Sequence, residues 1–339
     1  MRYFAAVTIT FLFLCGCKTV SVSKQQFPAI GSIERLSPEL GDIIADDARV
    51  ELLADRFKWV EGPVWVPRGE FLLFSDIPAN MVYRWKEGKG VSAYLKPAGY
   101  SGPTPRGGEL GANGLALDAN GRLILCQHGD RRIAKLEKSG VVSALAERYD
   151  DRRFNSPNDL AINRRGDIYF TDPIHGLAGG ATDPGRELPY CGVYRLARNG
   201  QVTLLTRQLT LPNGIALSPD EKWLYVSVSD PARPVIMKYE VKSDGTLGED
   251  NIFFDATSLT GSRKGLPDGL KVDEKGNVFA TGPGGVLIIS PDGRHLGTIL
   301  TGEPTSNCAW GGDGGTLYIT ANHMICRIRT LTRGAISGL

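Results

Sequence analysis

No block of like charge interrupts these 339 residues, in which 39 Lys and Arg face 37 Asp and Glu for a net charge of +2. The balance offers no basic stripe to a nucleic acid and no acidic tail. Beyond the first residues no segment carries a sustained 3.6-residue apolar period, which argues against a helical domain. The G-x-S-x-G motif is missing, and with it the strand-to-helix elbow of serine hydrolases. The Gly-rich stretch GPGG at 282–285 has no helical pattern after it and so no phosphate cradle. The six cysteines match no C-x2-C zinc spacing. What is abundant is Gly (42) and Pro (20), within a normal hydrophobic share of 42%. That combination points to many turns, hence to β-structure rather than disorder. The length suits one large domain or two ordinary ones.

The chain opens with Arg2 and an apolar run from Tyr3 to Leu14. The run is short for a membrane span and has the length of a signal-peptide core. It ends in LCGC at 14–17, which resembles the lipoprotein box of bacteria. That resemblance implies that residues 1–17 form a signal peptide ending at a lipid-bearing Cys17. Export to the periplasmic side of a cell-envelope membrane follows, with the lipid as the sole membrane contact. The alternative is an ordinary signal with a coincidental Cys, giving a secreted or soluble periplasmic protein. Residues 18–47 are expected to be a tether and 333–339 a C-terminal tail. In an oxidising compartment Cys308 and Cys326 could pair, but free buried thiols at Cys126, Cys191, Cys308 and Cys326 are the favoured expectation.

From residue 60 onward an internal repeat dominates. Its units begin at EGPVWVPRGEFLLFSD (61), ANGLALDANGRLILCQH (112), PNDLAINRRGDIYFTD (157), PNGIALSPDEKWLYVSVS (212), PDGLKVDEKGNVFATG (267) and TSNCAWGGDGGTLYITA (305). Each unit holds two alternating apolar stretches around a turn, a hairpin pattern. Further strands follow in several, such as GVYRLARNG and VTLLTR. Four strands per unit, with unit starts roughly 40–55 residues apart, predict an all-β, six-bladed β-propeller over residues 48–332. The last unit has little sequence left for a fourth strand. ARVELLADRF at 48–57 is expected to supply it from the N-terminal side and close the ring, which removes exposed sheet edges. Trp65 and Trp310 are expected to pack between blades. The stretches 99–111 and 176–190 read as surface loops.

One position in the repeat is polar throughout: Glu61, Asn113, Asn158, Asn213, Asp268 and Asn307. Packing alone has no reason to hold an amide or carboxylate there. In a propeller, equivalent positions at the start of the inner strands converge on one axis. The six side chains would then form a ring of oxygen donors suited to calcium, magnesium or manganese rather than zinc or copper. The alternative is turn chemistry, because Asn and Asp bond nearby backbone groups; Glu61 is not a turn residue. Asp159 is placed either at the site or in the turn. Asp172, His175 and, one blade earlier, His128 follow second strands and are candidates for contact with a substrate. Arg131 and Arg132 read as a solvated surface turn.

EGPVW at 61, PNDL at 157, PNGIALSPD at 212, LPDGLKVD at 266 and GPGGVLIISPDG at 282 together resemble the senescence marker protein/regucalcin/gluconolactonase-like family. FSDIPANMVYRW, NGLALDANGRLILCQHGDRRI and IYFTDPIHGL resemble its bacterial gluconolactonase-like branch. The resemblance spans nearly all of residues 50–330. It implies a divalent metal ion at the channel, calcium first, with zinc, magnesium or manganese as alternatives. It also implies hydrolysis of a sugar lactone. Its metal ligands map onto Glu61, Asn213 and Asp268, and Asn158 matches a further position in contact with metal or substrate. Asn113 joins Asn158 as a candidate for the substrate. Two features depart from the animal members. Ser156 stands where they carry an Arg, and no Glu in TDPIHGLAGG matches their substrate-contacting one.

Opening a cyclic ester needs a polarised carbonyl, an activated water and a group to take its proton. Asp268 is the expected base as well as a ligand. The competing readings are a hydrolase of other lactones or of organophosphates on the same site, and a non-enzymatic envelope propeller. A closed ring of this kind is expected to be a monomer.

Overall fold

The computed structural model describes residue 1, residues 26–104 and residues 106–335. Residues 2–17 of the expected signal segment, with Cys15 and Cys17, lie outside them. Among the described residues no helix is long and apolar enough to cross a membrane.

Each repeat unit folds as a four-stranded antiparallel blade. Blade I comprises Val60–Val66, Phe71–Asp76, Met81–Lys86 and Gly90–Leu95. Blade II comprises Ala112–Leu117, Leu123–Gln127, Arg132–Leu136 and Val142–Ala146. Blade III comprises Leu160–Ile162, Ile168–Asp172, Gly192–Leu196 and Val202–Thr206. Blade IV comprises Pro212–Leu217, Trp223–Val228, Val235–Val241 and Leu247–Asp255. Blade V comprises Leu270–Val272, Val278–Gly282, Gly285–Ile289 and His295–Leu300. Blade VI comprises Thr305–Gly311, Thr316–Ala321 and Met324–Arg329. Its fourth strand is Val50–Ala54, which pairs antiparallel with Met324–Arg329. The chain thus closes the ring from its N-terminal side, as the short last repeat predicts.

The core lies between blades rather than inside one. Second strands are flanked on both faces, so all five residues of Leu123–Gln127 and of Ile168–Asp172 are buried. Phe170 stacks on Tyr194 while Phe154 meets both edge-on. Trp65 of blade I stacks on Tyr318 of blade VI at 5.3 Å, and Trp310 of blade VI meets Phe279 of blade V edge-on at 4.9 Å. Such aromatic pairs add about 0.5–1.5 kcal/mol beyond their buried area. Both tryptophans therefore sit at blade junctions, as expected.

The segment read as a tether, 18–47, is in its described part a piece of the propeller. Ala29–Ile30 pairs outside Val50–Ala54, and Ser32–Arg35 pairs outside His295–Leu300. The 3-10 turn Pro38–Asp42 then drops Leu40 and Ile44 into the core between blades V and VI. Covering two sheet edges with short strands is a physical reason for the segment to be ordered. Two- and four-residue strands are too short to show an alternation in sequence. At the other end Gly334 bridges to Asp273, so the expected tail begins against blade V.

All four described cysteines are free and buried. Cys308 and Cys326 both oppose Ile319, from either side of the strand between them. Two strand spacings, about 9–10 Å, exceed the ~7 Å Cα separation that a disulfide tolerates. The possible pair therefore does not form, and the four thiols are free and buried as expected.

Around the channel a hydroxyl on a second or first strand caps a backbone carbonyl of the next blade. Ser75 donates to the carbonyl of Asn113 (2.9 Å), Thr171 to Asn213 (2.6 Å) and Ser227 to Asp268. Thr281 donates to Ser306 (2.9 Å) and Ser306 to Val60 (2.6 Å), the residues just before Asn307 and Glu61. At the remaining junction Gly114 N–H donates to the carbonyl of Asn158 at 2.7 Å. These buried bonds register the blades, and with them the polar ring. Thr171→Val keeps the shape and removes the donor to Asn213. Leaving a buried carbonyl unpaired costs about 1–3 kcal/mol, so urea unfolding is expected to show a loss of that size. A variant within about 0.5 kcal/mol of wild type would contradict the role of these bonds.

Candidate active site

The six polar repeat residues do meet. Glu61, Asn113, Asn158, Asn213 and Asp268 line one pocket of about 700 Å³. Asn307 lies behind the lining, donating its amide to Glu61 Oε2 (3.2 Å) and to Asp159 Oδ2 (3.3 Å). The approach is tight because a glycine follows four of the six: Gly62, Gly114, Gly214 and Gly269. A Cβ on Gly214 would overlap the carbonyl of Asp268, and one on Gly114 would lie 2.6 Å from Asp159 Oδ1. Turn formation is thus not the whole reason for the recurring Asn-Gly and Asp-Gly pairs; the glycine is where neighbouring inner strands touch.

Asp159 takes the place of the glycine in blade III. Its Oδ1 accepts the N–H of Leu160 (2.8 Å), and Lys271 Nζ stands 3.9 Å from Oδ2. It therefore ties the ring together beneath the pocket rather than lining it.

Glu61 is buried; Asp268 is half-buried, with its Oδ1 shut off from solvent. Burial, followed by the nearby Asp159 charge, pushes Glu61 up to about 8 despite the donors Gly62 N–H and Asn307. Burial and the charge of Glu61 push Asp268 well above the usual carboxylate range. Asp268 Oδ1 and Asn113 Oδ1 are buried without a hydrogen-bond partner. Asn213 gives its amide hydrogens to Ser229 Oγ (2.9 Å), which in turn donates to the carbonyl of Pro267, so its Oδ1 is the free end in the pocket. Asn158 lines the pocket, its backbone pinned by Thr171 and Gly114. Among the described residues no three His, Cys, Asp or Glu side chains gather as a metal cluster. The candidate set is a mixed one: two neighbouring carboxylates, one of them with an unpartnered oxygen, and amide carbonyls. Hard cations take such oxygen sets, and a positive charge removes the repulsion.

The candidates after the second strands divide. Asp172 does not line the pocket. Its two oxygens accept the N–H groups of Asn155 and Ser156, both at 2.8 Å, and burial raises it to about 7. Asp76 holds Lys58 and Trp59 in the same way in blade I, so the Asp closing a second strand is a loop clamp. His175 does line the pocket, and its Nε2 is buried without a partner. Burial lowers its pKa, leaving a neutral imidazole. His128 sits behind the wall with no exposure, touching Asn113 Nδ2 through Nε2 at 3.4 Å. Its Nδ1 is 2.9 Å from Glu109 Oε2, a close polar contact off the line of an ideal N–H bond. Burial would raise the Glu109 carboxyl, but His128 and His175 outweigh it and hold it below the usual range. Glu109 is the pocket carboxylate that sequence reasoning missed. It stands in the Gly/Pro stretch 99–111, which has no repeat partner to betray it. Arg131 is buried rather than solvated, donating to the carbonyls of Phe154 (2.6 Å) and Gly185 (2.7 Å).

Residues 59–323 match the SMP-30/Gluconolactonase/LRE-like region. The chain is 41% identical over 337 residues to a gluconolactonase of Zymomonas mobilis, covering 97% of this chain and 94% of the relative. It is 29% identical over 268 residues to a 6-deoxy-6-sulfogluconolactonase of Pseudomonas putida, covering 77% and 82%. A solved structure of a gluconolactonase from Xanthomonas campestris superposes with a TM-score of 0.77 at 31% identity, covering 91% of this chain and 98% of that one. The propeller, the converging polar ring and these likenesses agree: the chain belongs to the SMP-30/gluconolactonase/LRE-like family and is a hydrolase of cyclic carboxylic esters, a lactonase.

Proposed function

We propose that the chain opens the lactone of a sugar acid in the ring-lined pocket, with one divalent cation, calcium first, held by Glu61, Asn213 and Asp268 and with Asn158 beside it. The observation that carries this reading is the buried, unpartnered Oδ1 of Asp268 facing a second buried carboxylate. The residues fit a hard cation, which would polarise the lactone carbonyl and acidify a water. The gluconolactonase names of relatives at 41% and 31% identity support the choice of substrate class.

The chain's own groups then have defined tasks. Asp268 accepts the proton of the attacking water at its unpartnered oxygen. As the water oxygen bonds to the carbonyl carbon, the ring C–O bond breaks, and the proton passes to the departing ring oxygen. The product is the open hydroxy acid. Asn158 and Asn113 offer amide groups to orient the lactone. Trp59, Ile77 and Leu266 in the pocket wall restrict water to the reacting face. A lipid on Cys17 would hold the propeller at a membrane surface on the periplasmic side. The pairing of Ser32–Arg35 to blade V places the start of the described fold at the propeller's outer edge.

Two measurements bear on this. Glu61 titrates about 8 in the fold against 4.5 for the free side chain, and Asp268 shifts the same way. A raised carboxyl stabilises the fold below its unfolded value, and that stability is lost as pH rises through the folded value. Chelator-treated protein is therefore expected to lose Tm from about pH 5 to about pH 8. Calcium should restore Tm most at the upper end, where it no longer competes with protons. A flat profile with no response to calcium, magnesium, manganese or zinc would contradict the cation site. Asp268→Asn keeps an oxygen ligand and removes the base. It is expected to bind cation by calorimetry yet lose about 10²–10⁴-fold in kcat; full activity with cation bound would refute the base.

A further inference from the structure

Glu109 and His175 lie in one wall of the pocket, on loops of different blades, and the fold fixes both. Arg106 donates to the carbonyl of Gly176 at 2.8 Å, tying the 99–111 loop to the loop after blade III's second strand. Gly108, at φ +81°, packs against that same carbonyl, where a Cβ would lie 2.7 Å from it. Gly176 in turn lies on the His128 ring, with a Cβ reaching 2.9 Å from His128 Cβ. Behind the wall, Asn113 Nδ2 points at His128 Nε2, so Nε2 is the accepting nitrogen and Nδ1 carries the hydrogen toward Glu109. This chain uses one Glu109 oxygen and presents the other to the pocket. It also sets the Asn113 amide so that Oδ1 is left unpartnered. His175 adds a neutral ring nitrogen with no partner.

Three unpartnered polar atoms in one wall, two acceptors and a ring nitrogen, have no role in attack on an ester. They match the array of hydroxyls that a sugar-acid lactone carries and a simple lactone lacks. We infer that Glu109, positioned by His128, is the specificity residue of this pocket and selects polyhydroxylated lactones by binding their hydroxyls together with His175. The inference rests on the lactonase reading above and adds the part of the substrate that is recognised.

The test compares δ-gluconolactone with δ-valerolactone, a six-membered lactone without hydroxyls, above spontaneous hydrolysis and with saturating calcium. Removing one partner of a charged hydrogen bond costs about 10- to 100-fold. Glu109→Ala is expected to lose that much in kcat/KM on δ-gluconolactone, chiefly through KM, and less than about 3-fold on δ-valerolactone. Glu109→Gln, which keeps size and hydrogen-bonding capacity, should fall between and guards against misfolding. Equal losses on both lactones, or none on δ-gluconolactone, would overturn the specificity role and leave the lactonase reading standing. Wild-type protein inactive on both would instead overturn the lactonase reading itself, and this inference with it.

Discussion

Everything at the channel depends on how closely six inner strands approach one another. Where blades IV and V meet, Gly214 lies against the carbonyl of Asp268, and the Ser227 hydroxyl caps that carbonyl from the same blade. The two contacts have different physical origins. One is steric and requires the absence of a Cβ; the other satisfies a carbonyl that no ladder reaches. Together they hold the residue before each glycine at the channel wall. A blade shifted by one residue would turn its polar side chain away from the axis.

The same geometry creates an electrostatic problem. Glu61 is buried and Asp268 half-buried with few donors; the Asp159 charge raises Glu61, and the Glu61 charge raises Asp268. Burying two carboxylates so poorly paired destabilises a fold unless something compensates. Stability given up in this way concentrates at functional sites. Asp159 shows the contrast. It is as buried as Glu61 and close by, yet its oxygens meet the Leu160 N–H and the Asn307 amide, with Lys271 near. Asp159 stays behind the pocket lining, while Glu61 and Asp268 are part of it.

Much of this architecture was legible as a repeat. The six blades, the closing strand Val50–Ala54 and the convergence of Glu61, Asn113, Asn158, Asn213 and Asp268 all follow from periodic positions. What escaped was aperiodic. Ser32–Arg35 has no copy elsewhere and is too short to alternate. Glu109 sits in a single irregular loop, and its pairing with His128 joins residues that no spacing relates. Asp172 misled for the opposite reason: its place beside the site is periodic, but so is its structural task, which Asp76 repeats. One periodic signal went unused. Ser75, Thr171, Ser227 and Thr281 recur near the ends of second strands and cap the next blade, while Cys126 occupies that position in blade II.

The central claim is that the ring exists to hold a cation over which a lactone is opened. Crystals soaked in manganese, with data collected at its absorption edge, test this most directly. The account predicts one strong anomalous peak in the pocket, within about 2.0–2.6 Å of oxygens from Glu61, Asn213 and Asp268. A pocket without a peak at saturating manganese, or peaks confined to the outer surface, would contradict it.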